Sequence, residues 1–214
     1  MADLCNNDIG LDIFSLNYDL CIETALEEIQ RDFVNGFTSN GWSPTALAKN
    51  DPIRFFKLHG SLDWVDDKEY GLCSLRFPRH KDAVDIEIEA HKPLLIFGTN
   101  HKLSACEPFL SLIYYFAQCI LITPVLAVIG YSFGDKYIND IIMQGVRTNA
   151  RLKIIIISPD AEQRIGQIPL LNQNPRVHPI SGKDGKAKEV LNNLVLLSKV
   201  KELLRESSNE EPFK

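Results

Sequence analysis

The chain has 214 residues, 45% of them hydrophobic, and a formal net charge of −5. That composition supplies a sizeable core and excludes a disordered chain; without a long basic run it also excludes a charge-driven nucleic-acid surface. Five cysteines (Cys5, Cys21, Cys73, Cys106 and Cys119) are scattered with no CxxC pair, which argues against a disulfide framework or thiolate zinc site and for a reducing, cytoplasmic setting.

The opening Met1–Asp8 carries neither a basic stretch nor an apolar run, so no secretory signal is expected. Residues 9–16 read as a strand running straight into Asn17-Tyr18-Asp19. From Leu20 to Phe33 the apolar positions Leu20, Ile22, Ala25, Leu26, Ile29 and Phe33 recur at helical spacing, with Glu23, Glu27, Glu28 and Arg31 on the wet face. Asp19 stands near the start of that helix, where a carboxylate can accept free backbone N–H groups. After a loop from Asn35 to Pro44, the Phe- and Leu-rich run Ile53–Leu58 reads as a strand that stops at His59-Gly60. Glycine permits a tight turn there. The His59 imidazole, which titrates near neutrality, is thereby presented at a strand end, where open α/β sheets bind ligands. A histidine that only hydrogen-bonds a loop fits the same pattern.

Residues 63–91 read as a small inserted lobe. Trp64-Val65 and Leu72–Phe77 predict a hairpin, and Val84–Ile88 a half-exposed strand. Pro93–Gly98 reads as a buried strand and Leu103–Ile122 as mostly helix. From Phe109 to Gly130 there are 22 residues without a charge, long enough to cross a bilayer. Ser111, Gln118 and Thr123 interrupt them and Thr123-Pro124 breaks a helix. A buried helix to about Ile122 and a buried strand Val125–Ile129 is the better reading, with no membrane span. Gly130–Asp135 is a strand-to-helix turn and Tyr137–Val146 a helix. Leu152–Ile157, with four consecutive isoleucines, reads as a strand covered on both faces. Residues 187–205 predict a closing amphipathic helix, and 206–214 a polar, frayed tail.

Alternating strands and helices give an α/β fold, Rossmann-like, with a mainly parallel sheet and helices on both faces, in a single domain over residues 1–205. Polar or glycine-rich tips then gather at one sheet edge: Asn17/Asp19, His59/Gly60, Gly98/Thr99, Gly130/Ser132 and Ser158/Asp160. Together they describe a nucleotide-type crevice.

These tips resemble the SIR2 family, more closely the SIR2-like domains of bacterial defence proteins than the deacetylase sirtuins. Ser15-Leu16-Asn17-Tyr18-Asp19 is similar to the family's T-x-N-[YI]-D segment and Lys57-Leu58-His59-Gly60-Ser61 to its L-H-G-S segment. Pro93–Gly98 resembles the strand that follows. Ile129–Asp135 with Ile138-Asn139 resembles the G-Y-S-x-x-D-x-x-[IL]-N turn. Order and spacing agree over residues 11 to 160.

The resemblance implies NAD as substrate and chemistry at the bond joining nicotinamide to ribose. It implies catalytic roles for Asn17 (ribose or attacking water), Asp19 (nicotinamide side) and His59 (general base). Ser15, Gly60, Gly130, Ser132 and Asp160 would contact the dinucleotide. Asn17 and Asp19 also fit helix capping, Ser132 and Asp135 fit turn chemistry, and Asp160 fits an N-cap. The paired CxxC motifs that hold zinc in sirtuins are absent, so neither zinc nor deacylation is expected. The family's glycine-rich G-A-G-x-S turn, which cradles pyrophosphate on a helix N-terminus, has no counterpart before Ser15. The expectation is an NAD glycohydrolase of the antiphage-defence type, as a truncated or weakly active copy. The alternative is a non-catalytic NAD or ADP-ribose binding or assembly module, acting with further copies or a partner subunit.

Overall fold

The computed structural model describes residues 10–48, 53–68, 71–76, 92–95, 106–181 and 195–209. The chain divides into two compact units, residues 2–114 and residues 115–214.

In the first unit the alternating run Leu11–Ser15 forms β1, and the aromatic run Ile53–Lys57 forms β4. They pair in parallel, with Leu11 opposite Ile53 and Ser15 opposite Lys57. The register sets Asp12 beside Arg54, which grips both carboxylate oxygens (2.6 and 2.7 Å). A lone bridge from Val34 lines the other edge of β4. Helix α1 covers Cys21–Glu28, shorter than the stretch to Phe33 that apolar spacing predicts. Gln30 ends it in the left-handed region (φ 53°), and Phe33 turns back to pack with Ile53 and Leu26.

Within the predicted loop, β2 (Phe37–Thr38) and β3 (Gly41–Trp42) make a short hairpin, followed by a 3-10 turn over Pro44–Ala48. Strand β5 (Gly60–Asp67) folds back on β6 (Gly71–Ser74), with Trp64 opposite Ser74, so the expected hairpin forms there. The predicted strand Val84–Ile88 lies outside the described residues. Of Pro93–Gly98, residues 93–95 form β7, which pairs antiparallel with β5 and is half-exposed rather than buried. Among the described residues it flanks β5 antiparallel in a small sheet, and residues 96–98 of the predicted strand lie outside them. Phe37, Trp42 and Trp64 pack ring against ring at 5.0–6.4 Å, and Phe109 joins Trp64 at 6.4 Å. Phe14 stacks on Phe56 at 4.5 Å.

Helix α2 (Phe109–Ile122) ends against Thr123-Pro124 as expected, and residues 103–105 of the predicted helix lie outside the described residues. Among the described residues no helix is long and apolar enough to cross a membrane. The second unit is built on three parallel strands in the order β10–β9–β8: Val177–Ile180, Lys153–Ile157 and Val125–Ile129. All five residues of β9 are buried, the four isoleucines as their apolar run predicts and Lys153 with them. In β8 only Val128 is buried, while Ala127 and Ile129 are exposed. Val125, Ala127 and Ile129 share one face, which the described residues leave partly open, so the apolar run overstates the strand's burial.

Helix α3 runs Lys136–Thr148, slightly longer than expected. Asp135 starts it by accepting the Tyr137 and Ile138 amides (3.0 and 3.3 Å). Asn149 then binds the last carbonyls of α2, its amide donating to Ile120 (3.2 Å) and Thr123 (2.8 Å). Helix α4 (Ala161–Gly166) and β10 occupy a region without a strong sequence signal. Ile154 N–H donates to the Arg176 carbonyl at 2.8 Å, so ladder alternation turns the Pro179 nitrogen outward from β9. A proline is tolerated on such an edge. Helix α5 (Val195–Asn209) passes the predicted end at residue 205; Ser207 is buried and donates to the Leu203 carbonyl at 2.9 Å. Residues 187–194 of that predicted helix lie outside the described residues.

Gly145 lets α3 pack closely on α2, since a Cβ there would strike the Ile120 side chain. Overpacking in Gly145→Ala is expected to cost about 1–3 kcal/mol against roughly 1 kcal/mol of helix propensity gained, a net destabilisation of up to about 2 kcal/mol. Urea unfolding measures the balance. Burial, and secondarily the Lys199 charge, holds the His178 imidazole below its ordinary 6.5. The unfolded chain therefore binds more protons here, and the stability from this group is present above 6.5 and lost as pH falls toward the folded value. Thermal unfolding between pH 7.5 and 5.5 should show a falling Tm, with a shallower fall in His178→Gln.

Candidate functional site

Two strand ends meet in the first unit because β1 and β4 are parallel and in register. Beyond Ser15 and Lys57 both chains leave the sheet, one into Leu16–Leu20 and the other into Leu58–Gly60. The turns are laced by backbone hydrogen bonds: Leu58 N–H to Ser15 O at 2.9 Å, and Leu62 N–H to Tyr18 O at 3.1 Å. Tyr18 and His59 lie ring to ring with centroids 6.4 Å apart. The Ser15 hydroxyl is buried and accepts the Asn17 amide at 3.1 Å. Asn17 and Asp19 are exposed and His59 is half-buried. Gly60 takes φ 93°, and a Cβ there would meet the Leu94 carbonyl. That position needs glycine on both counts.

Asp19 sits one residue before the helix cap and its carboxylate accepts the Cys21 amide at 3.0 Å. That hydrogen bond, helped by the Lys57 charge, holds its carboxyl below the ordinary carboxylate value. The capping role weighed for Asp19 is thus filled, from outside the helix.

Beneath the turns lies a buried ionic chain that sequence spacing did not reveal. Lys57 is only 3% exposed, and its ammonium contacts Tyr18 O (3.1 Å), Asp19 O, Ser61 Oγ (2.9 Å) and Glu23 Oε1 (3.0 Å). Ser61 in turn donates to Asp63 Oδ1, and Ser74 donates to Asp63 Oδ2 at 2.6 Å. Glu23, assigned by periodicity to the wet face of α1, is also 3% exposed. The correction has a simple cause: a carboxylate is drawn inward when a buried ammonium needs an opposite charge. Its second oxygen, Oε2, is buried without a hydrogen-bond partner among the described residues. The signal available beforehand was Lys57 itself, one of two charges, with Arg54, in an otherwise apolar strand.

The second unit carries the other predicted tips. Gly130 adopts φ 66° and donates to the Ile157 carbonyl at 3.0 Å, with open space where a Cβ would lie. Its backbone angle, rather than crowding, is what calls for glycine. The following turn closes on itself. The Tyr131 hydroxyl lies 2.9 Å from Asn139 Oδ1 and 3.1 Å from Asp135 O and accepts the Asp135 amide, while Asn139 donates to Phe133 O at 2.7 Å. Burial pushes the Tyr131 hydroxyl up to about 12. Ser132 is exposed, and its carbonyl accepts Arg164 at 3.1 Å. The same arginine donates to Asp160 Oδ1 at 2.5 Å, as does Ser158. These donors hold the Asp160 carboxyl below its ordinary value. Asp160 occupies the N-cap position of α4 without a side-chain capping bond. Arg164 thus links Ser132 with Asp160, a connection that motif spacing did not suggest. Gly98 and Thr99 lie outside the described residues. Among the described residues no cluster of His, Cys, Asp or Glu could hold a metal ion.

A Rossmann-like, mixed α/β chain with parallel strands, whose polar segments follow the strand ends, defines the broad class. The SIR2-like domain model matches residues 12–180, and the chain belongs to that family. Comparison with curated proteins found no match.

Breaking the buried pair from one side strands a charge. Glu23→Ala or Lys57→Met alone is expected to cost about 3–5 kcal/mol, read from urea midpoints at constant m-value.

Proposed function

We propose that this domain is an NAD glycohydrolase, cleaving NAD to nicotinamide and ADP-ribose. The supporting observation is the lacing of the Asn17-Tyr18-Asp19 turn to the His59-Gly60 turn, with Tyr18 against His59. Family membership makes NAD the expected substrate.

In the proposed reaction the bond between ribose C1′ and the nicotinamide nitrogen breaks, its electron pair leaving with nicotinamide. Positive charge develops on the ribose, and a water oxygen then bonds to C1′. The water proton passes to His59 acting as general base. Asn17 offers a carboxamide that can both donate and accept, suited to a ribose hydroxyl or the attacking water. Asp19, kept ionised by the Cys21 amide, supplies negative charge on the nicotinamide side. Ser15 and Gly60 line the same turns. We place the activity in the cytoplasm and in antiphage defence, the setting that the family resemblance implies.

A second reading keeps nucleotide binding without catalysis. It is favoured by the carboxylates of Asp19 and Asp160, both already engaged by neighbouring donors.

Incubation with NAD, with nicotinamide and ADP-ribose resolved by chromatography, separates the two. Hydrolysis predicts both products in equal amounts, with His59→Ala slower by roughly 100- to 10,000-fold and Asn17→Ala also impaired. Turnover untouched by both substitutions sinks the catalytic assignment. A thermal shift with ADP-ribose but no product supports the binding module.

A further inference from the structure

Lysine ordinarily carries its ammonium to water along a flexible stem. Lys57 does the reverse. It ends β4 and points its charge into the base of the two turns, where three N–H donors face four acceptors. Two of these acceptors, the Tyr18 and Asp19 carbonyls, belong to the segment that immediately follows Asn17. A third, the Ser61 hydroxyl, lies two residues past His59. The fourth, Glu23, belongs to the helix that the first turn feeds. One ammonium therefore holds both turns and the helix start at once.

The His59 turn is fixed from the far side as well. Ser61 is anchored through Asp63 to Ser74 on β6, and Gly60 is pressed against the Leu94 carbonyl of β7. Shape and stability alone do not require such a chain, since well-packed apolar side chains often replace a buried ion pair at no loss. What apolar side chains cannot do is fix two backbone carbonyls and a hydroxyl at hydrogen-bond distance. A misplacement of about 1 Å can cost on the order of 100-fold in rate.

We infer that Lys57 is a positioning residue: its ammonium, balanced by Glu23, sets the Asn17–Asp19 turn against the His59–Ser61 turn. The catalytic consequence rests on the NAD-hydrolase reading; the geometric one does not.

The test uses the full chain and the double variant Lys57→Met/Glu23→Leu, which removes both charges and strands neither. Two readouts are taken: amide hydrogen exchange, and kcat and KM for NAD. The expected result is exchange at the Leu62 amide, bonded to Tyr18 O, faster by on the order of 10-fold, while the Leu58 amide, bonded to Ser15 O, stays protected. With it, kcat falls by about 100-fold and KM changes little. Ser61→Ala, which cuts the arm to the His59 turn together with its tie to Asp63, is expected to lower kcat in the same way; it replaces the double variant should that fail to fold. Wild-type exchange at Leu62 in a folded double variant overturns the proposal, as does wild-type kcat. If Ser61→Ala stands alone, an unchanged kcat overturns it. A wild-type chain that releases no nicotinamide defeats the hydrolase reading instead. The Leu62 amide then decides whether the ammonium ties the turns, in Ser61→Ala where that variant stands alone.

Discussion

A positive charge enclosed by protein must find enough oxygen atoms to replace the water it has lost, and this requirement organises the first unit. Lys57 meets it by drawing in a carboxylate, a hydroxyl and two main-chain carbonyls. Each acceptor comes from a segment that must therefore arrive in one place. The parallel register of β1 and β4 starts this convergence by bringing Ser15 opposite Lys57. The ammonium carries it three to four residues further, past the end of the β1–β4 ladder.

The two groups of strand tips are built by different means. In the first unit, segments distant in sequence are joined across a parallel pair by the lysine. In the second, the Tyr131–Asn139 segment satisfies its own polar groups locally, and Arg164 from the next helix reaches back to it. A local motif of that kind survives as a recognisable string of residues. The first kind leaves only short fragments, because its partners are set by tertiary packing. This explains why the Gly130–Asn139 segment reads almost completely from the chain, while Glu23 does not.

Much of the fold was legible where hydrophobic pattern and length agree. The four isoleucines of β9, the aromatic run of β4 and the Trp64 hairpin all stand where the sequence implies. The pattern misleads where polar chemistry outweighs it: Glu23 falls on the face that periodicity calls wet, yet its charge is needed inside. Apolar spacing also extends α1 to Phe33, although a left-handed Gln30 ends the helix earlier so that Phe33 can fold back onto the core. Strand β10 was invisible because it is four residues long and contains a proline. At the site, the neighbourhood of the Asn17 and His59 segments could be anticipated from their strand ends. The backbone amide on Asp19 was legible too, from its place before the helix; the guanidinium on Asp160 was not, because it depends on which side chain arrives beside the carboxylate.

Pro179 has a consequence beyond its own strand. With its ring nitrogen facing away from β9, the outer side of β10 lacks a donor at its middle, so an incoming polypeptide meets a break where continuous pairing would require an N–H. Among the described residues β10 has no further neighbour, so the residue that hides the strand from sequence reading also interrupts the donor row along that margin.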